Sequence, residues 1–142
     1  MTTPVLLLDT NVIMDALQER QPFDAAAKEI LLRSENGDIK VCFTANAATD
    51  IFYLYSKARD LKSARSALNY LFSNYGVISV TLEDCVAALS LQIEDFEDAL
   101  VVACAMKAGV DYIVTRDEKF LQDKSKIAII SPNELLNKLN SP

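Results

Sequence analysis

Apolar residues along this chain fall into two kinds of run. Five runs are short, dense in Val, Ile and Leu, and not alternating: Val5 to Leu8, Lys40 to Phe43, Val77 to Val80, Tyr112 to Val114 and Ile127 to Ile130. Such runs predict strands covered on both faces, since a strand with one wet face alternates. Between them the apolar positions recur with a 3.6-residue period. Phe23, Ala26, Ala27, Ile30 and Leu31 make one helical stripe. Leu61, Ala64, Leu68, Leu71, Phe72 and Tyr75 make another, in which Leu68, Leu71 and Phe72 suit either a core or an interface. Thr81 with Asp84, and Ser131 with Pro132 and Glu134, read as capping boxes that open later helices. Gly37, Gly76 and Gly109 each separate a helical stretch from a strand-like one, the place where a positive φ ends a helix. Strands alternating with helices through right-handed crossovers build a parallel sheet between helix layers. The expected fold is α/β: one domain over residues 1–142, a three-layer α/β/α sandwich around a central, mostly parallel five-stranded sheet.

In such a sheet the strands end on one edge, and ligands bind there, where the strand order reverses. The first strand runs into Asp9, Thr10 and Asn11, and the strand ending at Val114 runs into Thr115, Arg116 and Asp117. If these strands are neighbours, two carboxylates meet across a crevice. In TANAATDIFYLYSK, the positions Ala47, Ile51, Leu54 and Ala58 form an inward stripe, and Asp50 falls on it. EDFEDALVVACAM opens with Asp95 and Asp98 at i, i+3, followed by the apolar run of a central, packed helix. Both aspartates sit in a first helical turn, where the helix dipole favours anions. Asp95 is either a fifth acid of the site or a cap beside Asp98. Asp15, Glu19 and Asp24 are expected on solvated faces.

Composition narrows the chemistry. The chain has no histidine, which excludes catalytic triads, His–Cys pairs and Cys/His zinc sites. Cys42, Cys85 and Cys104 lie in apolar sequence without CxxC spacing and read as reduced core residues. With only three glycines, neither GxxxxGK[ST] nor GxGxxG can be written. Acids must therefore do any acid, base or metal chemistry. An unpaired inward carboxylate costs several kcal/mol unless its pKa rises or a cation is supplied, and Arg116 is the only basic neighbour in sequence of Asp9, Asp50, Asp98 or Asp117. Bound divalent metal resolves the conflict, and oxygen-only ligation suits Mg²⁺ or Mn²⁺. Such ions activate water and stabilise the leaving oxygen of a phosphodiester. The longest apolar run, Ala99 to Met106, is far below the ~18–20 residues of a membrane span, and no basic region precedes the VLLL stretch. A cytoplasmic protein without membrane contact is expected.

These residues carry a resemblance. LLLDTNVIMDAL, TDIFYL, DFEDALVVACAMKAGVDYIVTRDEKFL and a closing IISPNELL together resemble the PIN-domain ribonucleases, which include the VapC-type toxins of bacterial toxin–antitoxin pairs. The resemblance implies a metal-dependent endoribonuclease, with RNA as substrate, a small antitoxin protein as partner, and a homodimer. It makes Asp9, Asp98 and Asp117 the acidic metal-site residues, and places Asp50 where the family more often has glutamate. The shorter side chain would reach a metal only through water or with a shifted helix. Thr115 corresponds to the hydroxyl of the family's TxD pattern, and Thr10 and Asn11 to polar supports of the first aspartate.

The net charge of −6 argues against broad electrostatic binding of nucleic acid, but not against a metal-bridged contact with one phosphate. Substrate affinity should then be poor without metal. Two basic groups, Lys57, Arg59, Lys62 and Arg65, and Arg116, Lys119, Lys124 and Lys126, read either as solvated surface or as flanks that hold RNA phosphates. Among them Lys57, Arg59, Arg116 and Lys119 are the candidate RNA contacts, and Tyr53 and Tyr55 suit base stacking or packing. Two other classes compete. Phosphoryl-transfer proteins also place acids at strand ends, but the phosphatases need Asp-x-Asp where this chain has Asp9, Thr10, Asn11. The other is a catalytically weak or inactive PIN-like module for RNA binding or protein interaction, its activity lost with the Asp50 substitution.

Overall fold

The computed structural model of the protein describes residues 2–141, so the outermost residues of the expected domain lie outside it. In chain order the elements are β1 (Val5–Leu8), α1 (Thr10–Leu17), α2 (Asp24–Glu35), β2 (Lys40–Thr44), α3 (Ala47–Ala58), α4 (Leu61–Asn74), β3 (Gly76–Ile78), α5 (Leu82–Leu89), α6 (Phe96–Ala108), β4 (Tyr112–Val114), α7 (Glu118–Leu121), β5 (Ala128–Ile130) and α8 (Pro132–Asn140). The five strands form one sheet in the order β3-β2-β1-β4-β5. Every pairing is parallel. Helices cover both faces, which is the expected α/β/α sandwich.

Non-alternating strands have this consequence: Leu6 and Leu8 of β1 enter one core and Leu7 enters the other. The first core joins β1, β2 and the ends of β4 and β5 to α1, α2, α3, α4 and α8, through Ile13, Ile30, Phe43, Ile51, Leu71 and Leu135. The second is built on α6, whose residues Ala99 to Ala105 are all buried, with Ile113 and Phe120. Burying a Leu, Ile or Phe side chain stabilises by about 1.5–3 kcal/mol, so the central strands are the best anchored part of the fold. No helix among the described residues is long and apolar enough to cross a membrane.

Local signals set the helix ends. Asp84 and Thr81 complete a reciprocal capping box at α5, and Ser131 caps α8 with Pro132 in its first turn. Gly109 ends α6 in the left-handed region at φ 67°, and Gly37 lies at φ 86° after α2. Gly76 does not follow this pattern. It begins β3 opposite Cys42, and a Cβ there would lie 3.3 Å from the Cys42 Cβ. Close approach of two strands, not a positive φ, is the reason for this glycine. The same pairing starts β3 one residue earlier than the apolar run suggests and ends it at Ile78. Phe23 and Phe72 also leave their stripes. Phe72 is 49% exposed and stacks on Phe43 with ring centroids 6.3 Å apart, while Phe23 is 46% exposed and carries the guanidinium of Arg116 4.1 Å above its ring.

Candidate active site

β1 is the central strand where the order reverses, with β2 on one side and β4 on the other. Leu8 pairs with Val114, and the Asp9 N–H donates to the Val114 carbonyl at 2.9 Å. The chain ends of β1 and β4 therefore stand side by side, as the crevice argument requires. Asp9 is the N-cap of α1, its Oδ1 accepting from the Thr10 N–H at 3.0 Å. Its Oδ2 accepts from the Thr115 hydroxyl at 2.9 Å and from Asn11 Nδ2 at 3.3 Å. Fully buried Thr115 also accepts from Asn11 Nδ2 at 3.1 Å and from the Asp117 N–H at 3.1 Å. Asp117 caps α7 through Oδ1, which accepts from the Lys119 N–H at 3.0 Å. One hydroxyl thus links the first acid to the turn carrying the last.

A cleft of about 400 Å³ opens over this edge and is lined by Asp9, Asp50, Asp95, Glu97, Asp98 and Asp117 together with Thr10, Asn11, Met14, Arg20, Tyr53 and Leu54. All four principal acids are present, as is Asp95, which both faces the cleft and caps α6 by accepting from the Asp98 N–H at 3.0 Å. The cap is thus formed, and the same side chain lines the cleft. Asp50 reaches the cleft by a different route from the one expected: Leu54 and Ala58 turn to the surface, Ala47 and Ile51 carry the packing of α3, and Asp50 is exposed on the cleft wall.

Glu97 was not singled out from the sequence. It precedes Asp98 in the first turn of α6, where successive side chains fan around the helix mouth, and it also lines a smaller inner cavity of about 10 Å³ with Asp9, Thr10, Asn46 and Asp50. The signal available was the concentration of acid in GluAsp-Phe-GluAsp, read only at its i, i+3 spacing.

The basic candidates are placed otherwise. Arg116 turns away from the cleft: its Nε and a terminal nitrogen donate to the two Asp15 oxygens at 2.6 and 2.9 Å. Asp15, expected on a solvated face, is only 1% exposed, because this ion pair and Arg20 at 3.8 Å hold it inside. Lys57 bonds the Tyr53 hydroxyl at 3.1 Å on the rim, and Lys57, Arg59 and Lys119 are exposed but do not line the cleft. Arg20 is the one cation that does, among the described residues, with its guanidinium donating to Gln18 Oε1 at 2.8 Å.

Among the described residues, no ion pair involves any of the six cleft acids. Burial pushes the Asp98 carboxyl up to about 7, helped by repulsion from Asp95, Asp9 and Asp117. Burial likewise raises Asp9 against its bonds from Thr115 and Thr10, and raises Glu97 with repulsion from Asp50 and Asp9. The set is short of positive charge and rich in oxygen donors, which is the chemistry of a hard divalent cation site. Asn46, which lines the inner cavity with Asp9, Asp50, Glu97 and the hydroxyl residues Thr10 and Thr44, has a buried Oδ1 without a hydrogen-bond partner among the described residues. The acids surround the cleft without converging: no three acidic, His or Cys side chains among the described residues are grouped closely enough to hold one ion together.

A family model described as PIN domain matches residues 5–119. No curated protein matches the chain in sequence. Among solved structures, VapBC2 from Rickettsia felis, bound to a DNA fragment from its promoter, is similar with TM-score 0.68 and 16% identity, covering 89% of this chain and 98% of that one. A toxin–antitoxin complex from Klebsiella pneumoniae gives TM-score 0.67 and 20% identity over 89% and 97% of the two chains. VapC20 of Mycobacterium tuberculosis, a toxin that cleaves the sarcin–ricin loop, gives 0.66 and 16% over 81% and 92%.

Proposed function

Because the chain belongs to the PIN domain family, we propose that it is a metal-dependent endoribonuclease, the toxin of a toxin–antitoxin pair, in which Asp9, Asp98, Asp117 and Asp50 hold Mg²⁺ or Mn²⁺. The observation that carries this reading is the set of six carboxylates lining one cleft at the sheet edge with no Lys or Arg paired to them among the described residues. When bound, a divalent ion supplies an activated water and offsets the charge that builds on a phosphodiester in the transition state. The protein's own groups prepare the site. Thr115, Asn11 and the Thr10 N–H fix the two oxygens of Asp9, so its orientation needs no rearrangement on binding. Asp98, whose carboxyl burial pushes up to about 7, would give up its remaining proton to a bound cation. Arg20 offers the one cation on the cleft wall to a substrate phosphate, and exposed Tyr53 offers a ring to an unpaired base. The deciding assay is cleavage of mixed cellular RNA with Mg²⁺ or Mn²⁺, with EDTA, and by Asp98→Asn: metal-dependent cleavage by the wild type alone supports the reading, and equal cleavage by the variant refutes the site.

The likeness in fold to toxin–antitoxin complexes supports a small antitoxin as partner. Expression of the chain alone should arrest growth, and harmless expression of a protein with intact nuclease activity would remove the toxin role while leaving the enzyme. The exposed, shorter Asp50 favours one second reading, a catalytically silent PIN scaffold. Calorimetry with Mn²⁺ separates the two, because a silent scaffold binds the ion weakly or not at all.

A further inference from the structure

Arg20 is the one cation on the cleft wall among the described residues, and a neighbouring amide holds it there. Its side chain leaves the turn between α1 and α2. A long arginine on a turn has much rotamer freedom to lose, so bonds must set its direction. Gln18, the C-cap of α1, sets it: Oε1 accepts from Arg20 Nε at 3.1 Å and from a terminal nitrogen at 2.8 Å. Gln18 Nε2 donates in turn to the Leu54 carbonyl of α3 at 3.3 Å. These two partners fix which way the amide faces, because a guanidinium only donates and a carbonyl only accepts. Gln18 itself does not line the cleft, whereas Arg20 and Leu54, on either side of it, do.

That the grip is an amide matters for charge. Acids stand close by in sequence, but each is engaged elsewhere. Glu19 accepts from Lys28 Nζ at 2.9 Å, and both Asp15 oxygens take their short bonds from Arg116. Arg20 approaches Asp15 only at 3.8 Å. Two guanidinium groups against one carboxylate leave one positive charge uncompensated at this corner of the cleft. A neutral amide orients Arg20 without cancelling that charge, while a carboxylate in its place would form a charge-assisted pair and cancel it.

We propose that Gln18 is a positioning residue for substrate: it holds Arg20 on the cleft wall, with its charge free, for a backbone phosphate of RNA, and ties that arginine to α3, the helix that carries Asp50 and Tyr53 into the same cleft. This rests on the nuclease reading for its ligand. It goes beyond it by assigning the phosphate grip to a unit of guanidinium, amide and α3 carbonyl. A phosphate contact made alike in ground and transition states acts on affinity and not on turnover, so the unit belongs to binding.

The test compares wild type, Gln18→Met, Gln18→Glu, Arg20→Gln and the double variant Gln18→Met/Arg20→Gln. It reads Kd for a labelled, unpaired oligoribonucleotide with Mg²⁺ immediately after mixing, over a salt series, and then kcat and KM for cleavage of the same RNA. Gln18→Met keeps the length of the side chain but loses both bonds. It should weaken binding by about 2–5-fold, because Arg20 must then be immobilised by the substrate alone. Gln18→Glu still accepts from Arg20 but cancels its charge. It should weaken binding as far as Arg20→Gln, by about 3–10-fold, and reduce the salt slope by about 0.7, the share of one phosphate contact on a single strand. Each variant should keep kcat near that of wild type, and the double variant should bind no more weakly than Arg20→Gln. A Gln18→Met loss that repeats in full in the double variant overturns the proposal, since it marks Gln18 as a tether between α1 and α3 and nothing more. So does a Gln18→Glu protein whose Kd and salt slope match wild type, which decides the matter even if Gln18→Met fails to fold. A wild type that binds RNA without cleaving it refutes the nuclease reading and leaves this one judged by the Kd values. A wild type that binds no RNA refutes both, and a cleaving wild type matched by its Gln18 variants refutes this one alone.

Discussion

Two aspartates on helices that pack into different cores show how differently this chain treats negative charge. Asp15, in α1, is 1% exposed and is gripped by Arg116 on both oxygens, with Arg20 at 3.8 Å. Arg116 is itself seated over the Phe23 ring. Asp98, in the first turn of α6, is half-buried, faces other carboxylates across the cleft, and has no basic partner among the described residues. The fold supplies cations to the acid it needs for structure and withholds them from the acids at the sheet edge. Burial alone does not separate a structural carboxylate from a reactive one; the sign of the nearest charge does.

The sharpest way to break that contrast is to neutralise each acid in turn. Asp98→Asn should lower metal-dependent RNA cleavage on the order of 10²–10³-fold, the range seen when one charge-stabilising group leaves an active site. It should leave Tm unchanged or higher, because a repelled, desolvated charge has gone. Asp15→Asn should do the reverse. It leaves Arg116 without its bidentate partner and should cost about 2–3 kcal/mol of stability, below the full value for a buried pair because the two arginine side chains remain 32% and 34% exposed. Thermal melts beside cleavage assays on the same two variants check this, and a destabilised Asp98→Asn would erase the distinction.

The same contrast has a pH signature. Asp98 is pushed up to about 7 in the folded protein, and Asp9 and Glu97 are also raised, each first by burial. A carboxyl with a raised folded pKa binds more protons folded than unfolded over the interval between its two values, so stability falls as pH rises through that interval. For Asp98 the interval runs from about 4, its unfolded value, to about 7. Asp60 and Asp84 are lowered, by bonds from Ser63 and Lys107 respectively, and pull the other way only near and below about pH 4. The metal-free protein should therefore lose Tm steadily from pH 5 to 7. Saturating Mg²⁺ or the Asp98→Asn change should flatten the slope, and a metal-free Tm that rises across the interval would contradict the assignment.

How much of this was legible in the sequence depends on the range of the interaction. β1 and β4 were bounded correctly, because short apolar runs covered on both faces leave few alternatives, and the acids that follow them were placed at one edge by topology. β3 was misplaced because an edge strand takes its limits from its partner, here Cys42 opposite Gly76. The apolar stripe on which the sequence places Asp50 is not used by the packing of α3 beyond Ile51. Asp15 looked solvated because its partner, Arg116, lies 101 residues away, and no local pattern announces such a pair. Arg20 and Glu97 escaped for a similar reason. Each is an ordinary surface-type residue whose meaning comes from the cavity that it lines.

Arg20 gives the smallest expected effect and the finest test of the comparison, since it stands between the two regions. Its guanidinium lies 3.8 Å from Asp15, yet it lines the cleft from which Arg116 is turned away. Arg20→Gln removes a charge that is third in line at Asp15, where Arg116 already makes both short bonds, so stability should change by no more than about 1 kcal/mol. Its effect should fall on substrate: KM for RNA should rise by about 3–10-fold at moderate salt with kcat nearly unchanged, as expected for a phosphate contact made equally in ground and transition states. The corresponding Arg116→Gln should act through stability instead. If Arg20→Gln lowers Tm as far as Arg116→Gln and leaves KM alone, Arg20 belongs to the buried pair and the cleft has no cation of its own.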